Sequence, residues 1–212
     1  MARFNKEEID RYFDYGIFVK ERILWLGSTD TEDGEETGTN YEMCENFIKG
    51  ITFLARMSED QITIQMNNIG GDWNHGMAIY DVIRACRSHI TIIAYGYACS
   101  MGSVILQAGD ERILAPDCDV MIHDGKDGFE GDAKSFENWA EHSKVIRKRM
   151  YEIYLQRIKE KHPNGKWGLK KIEELCSHDK ILTAQEAVDL GLADSIFELI
   201  EFDNKPRGNN GL

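Results

Sequence analysis

Proline is scarce in this chain of 212 residues, occurring only at Pro116, Pro163 and Pro206. Low-complexity blocks and internal repeats are absent, so nothing marks a linker, and the length suits one domain with a sizeable core. No apolar run approaches the roughly 20 residues that cross a bilayer. Basic residues are outnumbered, 25 Lys+Arg against 37 Asp+Glu, for a net charge of -12. Binding to nucleic acid or to an anionic membrane draws on a basic face, so neither partner is expected. Residues 1–8 are polar and lack the apolar stretch of a secretory signal. The five cysteines, Cys44, Cys86, Cys99, Cys118 and Cys176, are odd in number and form no C-x-x-C pair. That argues against a disulfide framework or a zinc site, and for small core residues in a reducing, cytoplasmic compartment.

The apolar pattern divides the rest. Asn5 with Glu8 has the form of a helix start and predicts a short helix to about Tyr15. Residues 22–26 read as a strand. Residues 28–38 form a polar loop with five acids, Asp30, Glu32, Asp33, Glu35 and Glu36; it misses the spacing of a calcium loop and reads as solvated and mobile. Helical spacing returns over 40–56 through Phe47, Ile48, Ile51 and Leu54. Residues 61–66 alternate as a strand, a turn follows at 67–71, and Met77, Ile79, Tyr80, Ile83 and Cys86 mark a helix. A β-rich run over 89–95 is expected to break at Gly96, with helix over 101–107 and short strands at 111–115 and 119–122. Residues 133–161 predict one long helix, and Thr183-Ala184-Gln185-Glu186 is a capping box for a short helix ended by Gly191. Strand and helix thus alternate through the first half, which argues for an α/β fold on a parallel sheet. Residues 1–203 are expected to make one domain, and 204–212 a loose polar tail.

Two strand-to-helix junctions carry candidate chemistry. Asn67-Asn68-Ile69-Gly70-Gly71 lets the backbone turn tightly and present N–H groups to an anion, as would any plain turn of this type. Gly96-Tyr97-Ala98-Cys99-Ser100-Met101-Gly102 sets a serine between an apolar strand and a helix start, where it is either a nucleophile or a helix cap. A nucleophilic serine needs a base and the base an orienting acid. His123 follows an apolar strand and precedes glycines, and Asp179 lies just before the Thr183 cap. His75, His89, His142 and His162 are less well placed. Lys126 or Lys134 would be the base of a Ser–Lys dyad.

These segments, together with Phe18-Val19-Lys20-Glu21-Arg22-Ile23, Gly76-Met77-Ala78-Ile79-Tyr80-Asp81 and Gly191-Leu192-Ala193-Asp194, stand in one order over about 13–197. The chain resembles the proteolytic subunit of the Clp protease, a self-compartmentalised serine peptidase. The resemblance implies a fold of repeated ββα units, shared with the crotonases, and a protruding handle over about 124–161. It implies Ser100 as nucleophile, His123 as general base, Asp179 as orienting acid, and the Gly71 and Met101 N–H groups as an oxyanion hole. It further implies heptameric rings, stacked in pairs by the handle, that cleave unfolded polypeptides supplied by an ATP-driven AAA+ unfoldase. The subunit itself would need no cofactor and no metal, and the chain has no G-x-x-x-x-G-K-[ST] phosphate loop.

The chain departs from that pattern at several places. Asn68-Ile69-Gly70-Gly71 replaces the family's Ser-Pro-Gly-Gly, and Asp124-Gly125 replaces the Gln-Pro after the base. Thr63 and Gln65 replace aromatics of the unfoldase-docking pocket, and His178 replaces the arginine before the triad aspartate. A histidine carries an arginine's charge only when protonated, so ring pairing or activity is expected to respond to pH near neutrality. The competing readings are a crotonase-type acyl-CoA hydratase or isomerase, a catalytically silent ring subunit, and a capsid-maturation protease of similar fold.

Overall fold

The computed structural model describes residues 5–28, 36–126 and 128–198. Four acids of the polar loop, Asp30, Glu32, Asp33 and Glu35, lie outside the described residues, as does the tail. In chain order the elements are α1 (Lys6–Tyr15), β1 (Ile17–Phe18), β2 (Ile23–Gly27), α2 (Tyr41–Met57), β3 (Ile62–Asn68), α3 (Trp73–Ala85), β4 (Ile90–Cys99), α4 (Met101–Leu106), β5 (Glu111–Leu114), β6 (Asp119–Ile122), α5 (Ala133–Lys161), α6 (Leu169–Cys176), β7 (Lys180–Leu182), α7 (Ala184–Leu190) and β8 (Ser195–Ile196). Asn5 and Glu8 close a reciprocal capping box on α1, Thr183 and Glu186 another on α7, and Gly191 ends α7 in the left-handed conformation. Among the described residues the fold is mixed α/β, with eight strands in one sheet and seven helices. Four elements have too few residues to show a period in the sequence or lie between clearer ones: β1, α6, β7 and β8.

The sheet runs β1-β2-β3-β4-β5-β8, parallel except for the β1–β2 hairpin. Its organising strand is β4. Residues 91–94 pair with β5, whereas residues 97–99 pair with β6, which in turn holds β7 antiparallel. Gly96 marks the change of partner. The sequence reading ends the strand there, but the strand bends and continues. With φ +56, Gly96 takes a left-handed turn that a Cβ would strain, and the Tyr97 N–H is satisfied by Asn67 Oδ1 at 3.0 Å. The last three residues of β4 are thereby carried away from β5 and aimed at the site.

Alternation on β3 buries Ile62, Ile64 and Met66 completely, and β4 adds Ile90, Ile92 and Ala94. Helices α2 and α3 cover them with Phe47, Ile51, Leu54, Ile79 and Ile83. Each large aliphatic side chain so buried stabilises the fold by about 1.5–3 kcal/mol. Arg22, itself at φ +54, closes the edge of this layer. Its guanidinium donates to the carbonyls of Leu54, Ser58, Asp60 and Gln61, and so ties the end of α2 to the start of β3.

The long helix α5 has the predicted bounds but two different halves. Met150, Tyr151, Tyr154 and Ile158 are buried, while Phe136, Trp139 and Val145 are exposed by 56%, 53% and 45%. Only the C-terminal half belongs to the core.

Behind α5, Arg112 is buried and donates to both carboxylate oxygens of Asp194, to Gln107 Oε1 and to the Gly191 carbonyl. Partial burial opposes the Asp194 charge, but the Arg112 bonds outweigh it and hold its carboxyl below the ordinary range. A carboxyl lowered on folding contributes stability above its unfolded pKa of about 3.9 and loses it as pH falls through the folded value. Asp194→Ala leaves the guanidinium buried without its counter-ion. Urea unfolding at pH 7 should show a loss of about 2–3 kcal/mol, less than for a fully enclosed pair because Asp194 meets solvent. The gap from wild type should narrow below about pH 4.

Candidate active site

Ser100 stands between β4 and α4 with φ 50 and ψ -121, a conformation that costs a non-glycine residue strain. Several contacts hold it there. The Ser100 N–H donates to the Met121 carbonyl at 2.8 Å, and the Ser103 hydroxyl donates to the Ser100 carbonyl at 2.6 Å. Ser103 is in turn paired at 2.7 Å with the buried Tyr154 hydroxyl of α5. Every residue of α4 is buried, so the helix cannot slide to relieve the turn. The Ser100 side chain makes no cap bond to α4, which removes the helix-cap reading.

His123 is the residue after β6, and Asp179 the residue before β7. The antiparallel ladder pairs Ile122 with Lys180, so its next rung sets His123 beside Asp179. The imidazole lies 2.8 Å from Asp179 Oδ1 at Nδ1 and 2.7 Å from Ser100 Oγ at Nε2. A carboxylate at Nδ1 assigns the proton to that nitrogen, and Nε2 then accepts from the serine hydroxyl. The imidazole is mostly enclosed, with 18% of its side chain exposed, whereas Asp179 is 71% exposed. Ser100 thus pairs with His123 and not with Lys126 or Lys134. His75 meets the Tyr41 ring edge-on, His142 meets Trp139 the same way, and His162 bonds the Asp189 carbonyl. His178 lies 3.1 Å from Ser177 Oγ through Nδ1, so its partner is that hydroxyl and not Asp179.

The glycine junction meets the serine junction directly. Thr39 bridges to Gly71: its N–H donates to the Gly70 carbonyl and its carbonyl accepts from Asp72 N–H. In such a parallel bridge the Gly71 N–H points away from Thr39. Met101 opens α4, and the first N–H of a helix has no intrahelical acceptor. Asn68, fully buried, orders this loop: its Oδ1 accepts from Gly70 N–H at 2.8 Å and its amide pairs with the Thr39 hydroxyl. Asn68 and Thr39 escape a sequence reading, because a polar residue in a turn does not reveal which neighbour it will bind.

A cleft of about 570 Å³ opens beside Ser100, Gly71 and Met101. Ile69, Trp73, Val104, Ile146 and Met150 give it apolar walls, with Asp124, Lys126 and Arg147 among its polar groups. Such walls suit an apolar side chain next to the reacting centre.

The described residues form an eight-stranded sheet with seven helices, a mixed α/β build consistent with the Clp protease fold. Residues 6–199 match the family model of the Clp protease, and the chain belongs to that family. Among the described residues, no helix is long and apolar enough to cross a membrane.

The packing also singles out Gly70. With φ +111, a Cβ built there would lie 2.6 Å from the Ser100 Cβ and 3.0 Å from the Cys99 carbonyl oxygen. Gly70→Ala should displace the elbow while leaving the core intact. A misplacement of this kind is expected to cost about 10²-fold in the rate of peptide cleavage, and the strained Cβ should also lower the thermal unfolding midpoint.

Proposed function

We propose that the chain is a serine endopeptidase subunit of a self-compartmentalised ring protease, acting on unfolded polypeptide. The observation that carries the reading is the unbroken line of Asp179, His123 and Ser100, with hydrogen bonds of 2.8 and 2.7 Å. As the Ser100 oxygen attacks the scissile carbonyl carbon, its proton passes to His123 Nε2. Asp179 stabilises the imidazolium that results. The carbonyl oxygen, now negative, is held by the N–H groups of Gly71 and Met101. His123 returns the proton to the departing amine, leaving an ester on Ser100. Water, deprotonated by His123, then hydrolyses that ester. Ser100→Ala should lower cleavage of a fluorogenic peptide by about 10⁶-fold, and His123→Ala by a similar factor. Near-normal turnover by purified Ser100→Ala protein would contradict the assignment.

The same hydrogen-bond line argues against a crotonase-type hydratase, which polarises a carbonyl through backbone N–H groups and has no need of a serine paired with histidine. It also argues against a silent subunit, since all three residues are present and in contact.

Assembly completes the proposal. The free half of α5 exposes Phe136, Trp139 and Val145, more apolar surface than a solvated helix needs. Burial of this face against a second copy would stack two rings, heptameric as the family implies, and enclose the cleft in a chamber. An AAA+ unfoldase is the partner that would supply substrate to it. Light scattering at micromolar concentration should report a particle many times 24.3 kDa, and Trp139→Asp should reduce its mass. A wild-type monomer would overturn the ring assembly.

A further inference from the structure

On its N-terminal side, His123 is held by the β6–β7 ladder. On its C-terminal side the chain enters residues 124–132, of which those described form neither helix nor strand. A Cβ added at Gly125 or Gly128 would meet nothing within 4 Å, so the chain at these two glycines has little packing to hold it. Asp124, the first residue of the stretch, is nevertheless fixed twice. Its N–H donates to the Cys176 carbonyl at 2.7 Å, and its Oδ1 accepts from the Tyr151 hydroxyl at 2.5 Å. Cys176 ends α6, three residues before Asp179, and Tyr151 is a buried residue of the core half of α5. The two bonds therefore join the strand that bears the imidazole, the helix that leads to the carboxylate, and α5.

We propose that Asp124 and Tyr151 are a positioning pair for the base His123, an inference that rests on the serine-peptidase reading above. Among the described hydrogen bonds, Asp124 contacts neither Ser100 nor the His123 ring, so it acts through the backbone that carries the base. Burial and the adjoining Asp124 carboxylate both push the Tyr151 hydroxyl above its ordinary pKa, which keeps it protonated as a donor. A Nε2 that drifts from Ser100 Oγ weakens proton transfer and leaves the apolar walls of the cleft in place. The pair should therefore govern turnover and spare substrate binding.

The test measures kcat and KM for a fluorogenic peptide, and the rate at which a fluorophosphonate acylates Ser100, in the assembled wild type and four variants. Tyr151→Phe, at a residue that does not line the cleft, should lower kcat about tenfold with KM unchanged within about twofold; Asp124→Ala, at a cleft-lining residue, should lower kcat to the same degree, and acylation should slow in step in both. The double variant should be no slower than either single one, because both remove the same bond. Asp124→Asn keeps an Oδ1 acceptor for Tyr151 and should recover most of the kcat that Asp124→Ala loses. It is the control for folding, since it changes charge and not the hydrogen bond. Wild-type kcat in Tyr151→Phe, additive losses in the double variant, or Asp124→Asn as slow as Asp124→Ala would overturn the pair. A wild type without Ser100-dependent cleavage would overturn the peptidase reading itself, and the positioning role with it.

Discussion

The left-handed turn at Ser100 is the constraint on which the rest of the site depends. A serine at φ 50 is unfavourable by about 1–3 kcal/mol and persists only where its surroundings allow nothing else. Those surroundings are built in sequence. Gly96 bends β4 from β5 to β6, and β6 supplies the Met121 carbonyl that fixes the Ser100 N–H. The buried α4 blocks the turn from unwinding, and Gly70 and Gly102 leave no Cβ where the serine and the Asn68 backbone pass. The strain is thus balanced by ordinary packing, and its effect is to lift one hydroxyl out of the chain toward His123.

Because β6 both fixes Ser100 and leads directly into His123, the two residues share one support. The antiparallel β7 adds Asp179 at the next rung, so three residues distant in sequence converge through two strand pairings. Solvent acts unevenly on this line. The imidazole is enclosed, but the carboxylate stands mostly in water, where its charge is screened. In the isolated chain Asp179 therefore serves chiefly through its hydrogen bond, which fixes the tautomer and the ring plane. The exposed aromatic residues of α5 stand over a cleft whose walls continue along the same helix. The exposed aromatics and the cleft walls thus lie on adjacent faces of one element.

Much of this was legible in the sequence where local chemistry determines structure. The caps at Asn5 and Thr183, the stop at Gly191 and the extent of α5 follow from patterns that a few residues complete on their own. The candidate triad was legible through its order along the chain and its resemblance to a known family, and the structure brings Ser100, His123 and Asp179 into contact. What sequence could not supply depends on distant partners. Gly96 reads as a break because only Asn67, thirty residues before Tyr97, shows that the lost ladder bond at Tyr97 is replaced. Asn68, Thr39 and Tyr151 are unremarkable until the fold sets them beside Gly70 and Asp124. The local sequence around Ser100 favours a helix cap, and only the fold shows that its side chain bonds His123 and makes no cap bond to α4.

The central claim is that Ser100 is a nucleophile activated by His123. Its most direct test is mass spectrometry of the protein after exposure to a fluorophosphonate, which forms a stable bond only with an activated serine. The account predicts one adduct per chain, located on the peptide that carries Ser100 and lost in His123→Ala. Labelling elsewhere, or labelling of Ser100 undiminished by loss of His123, would contradict it.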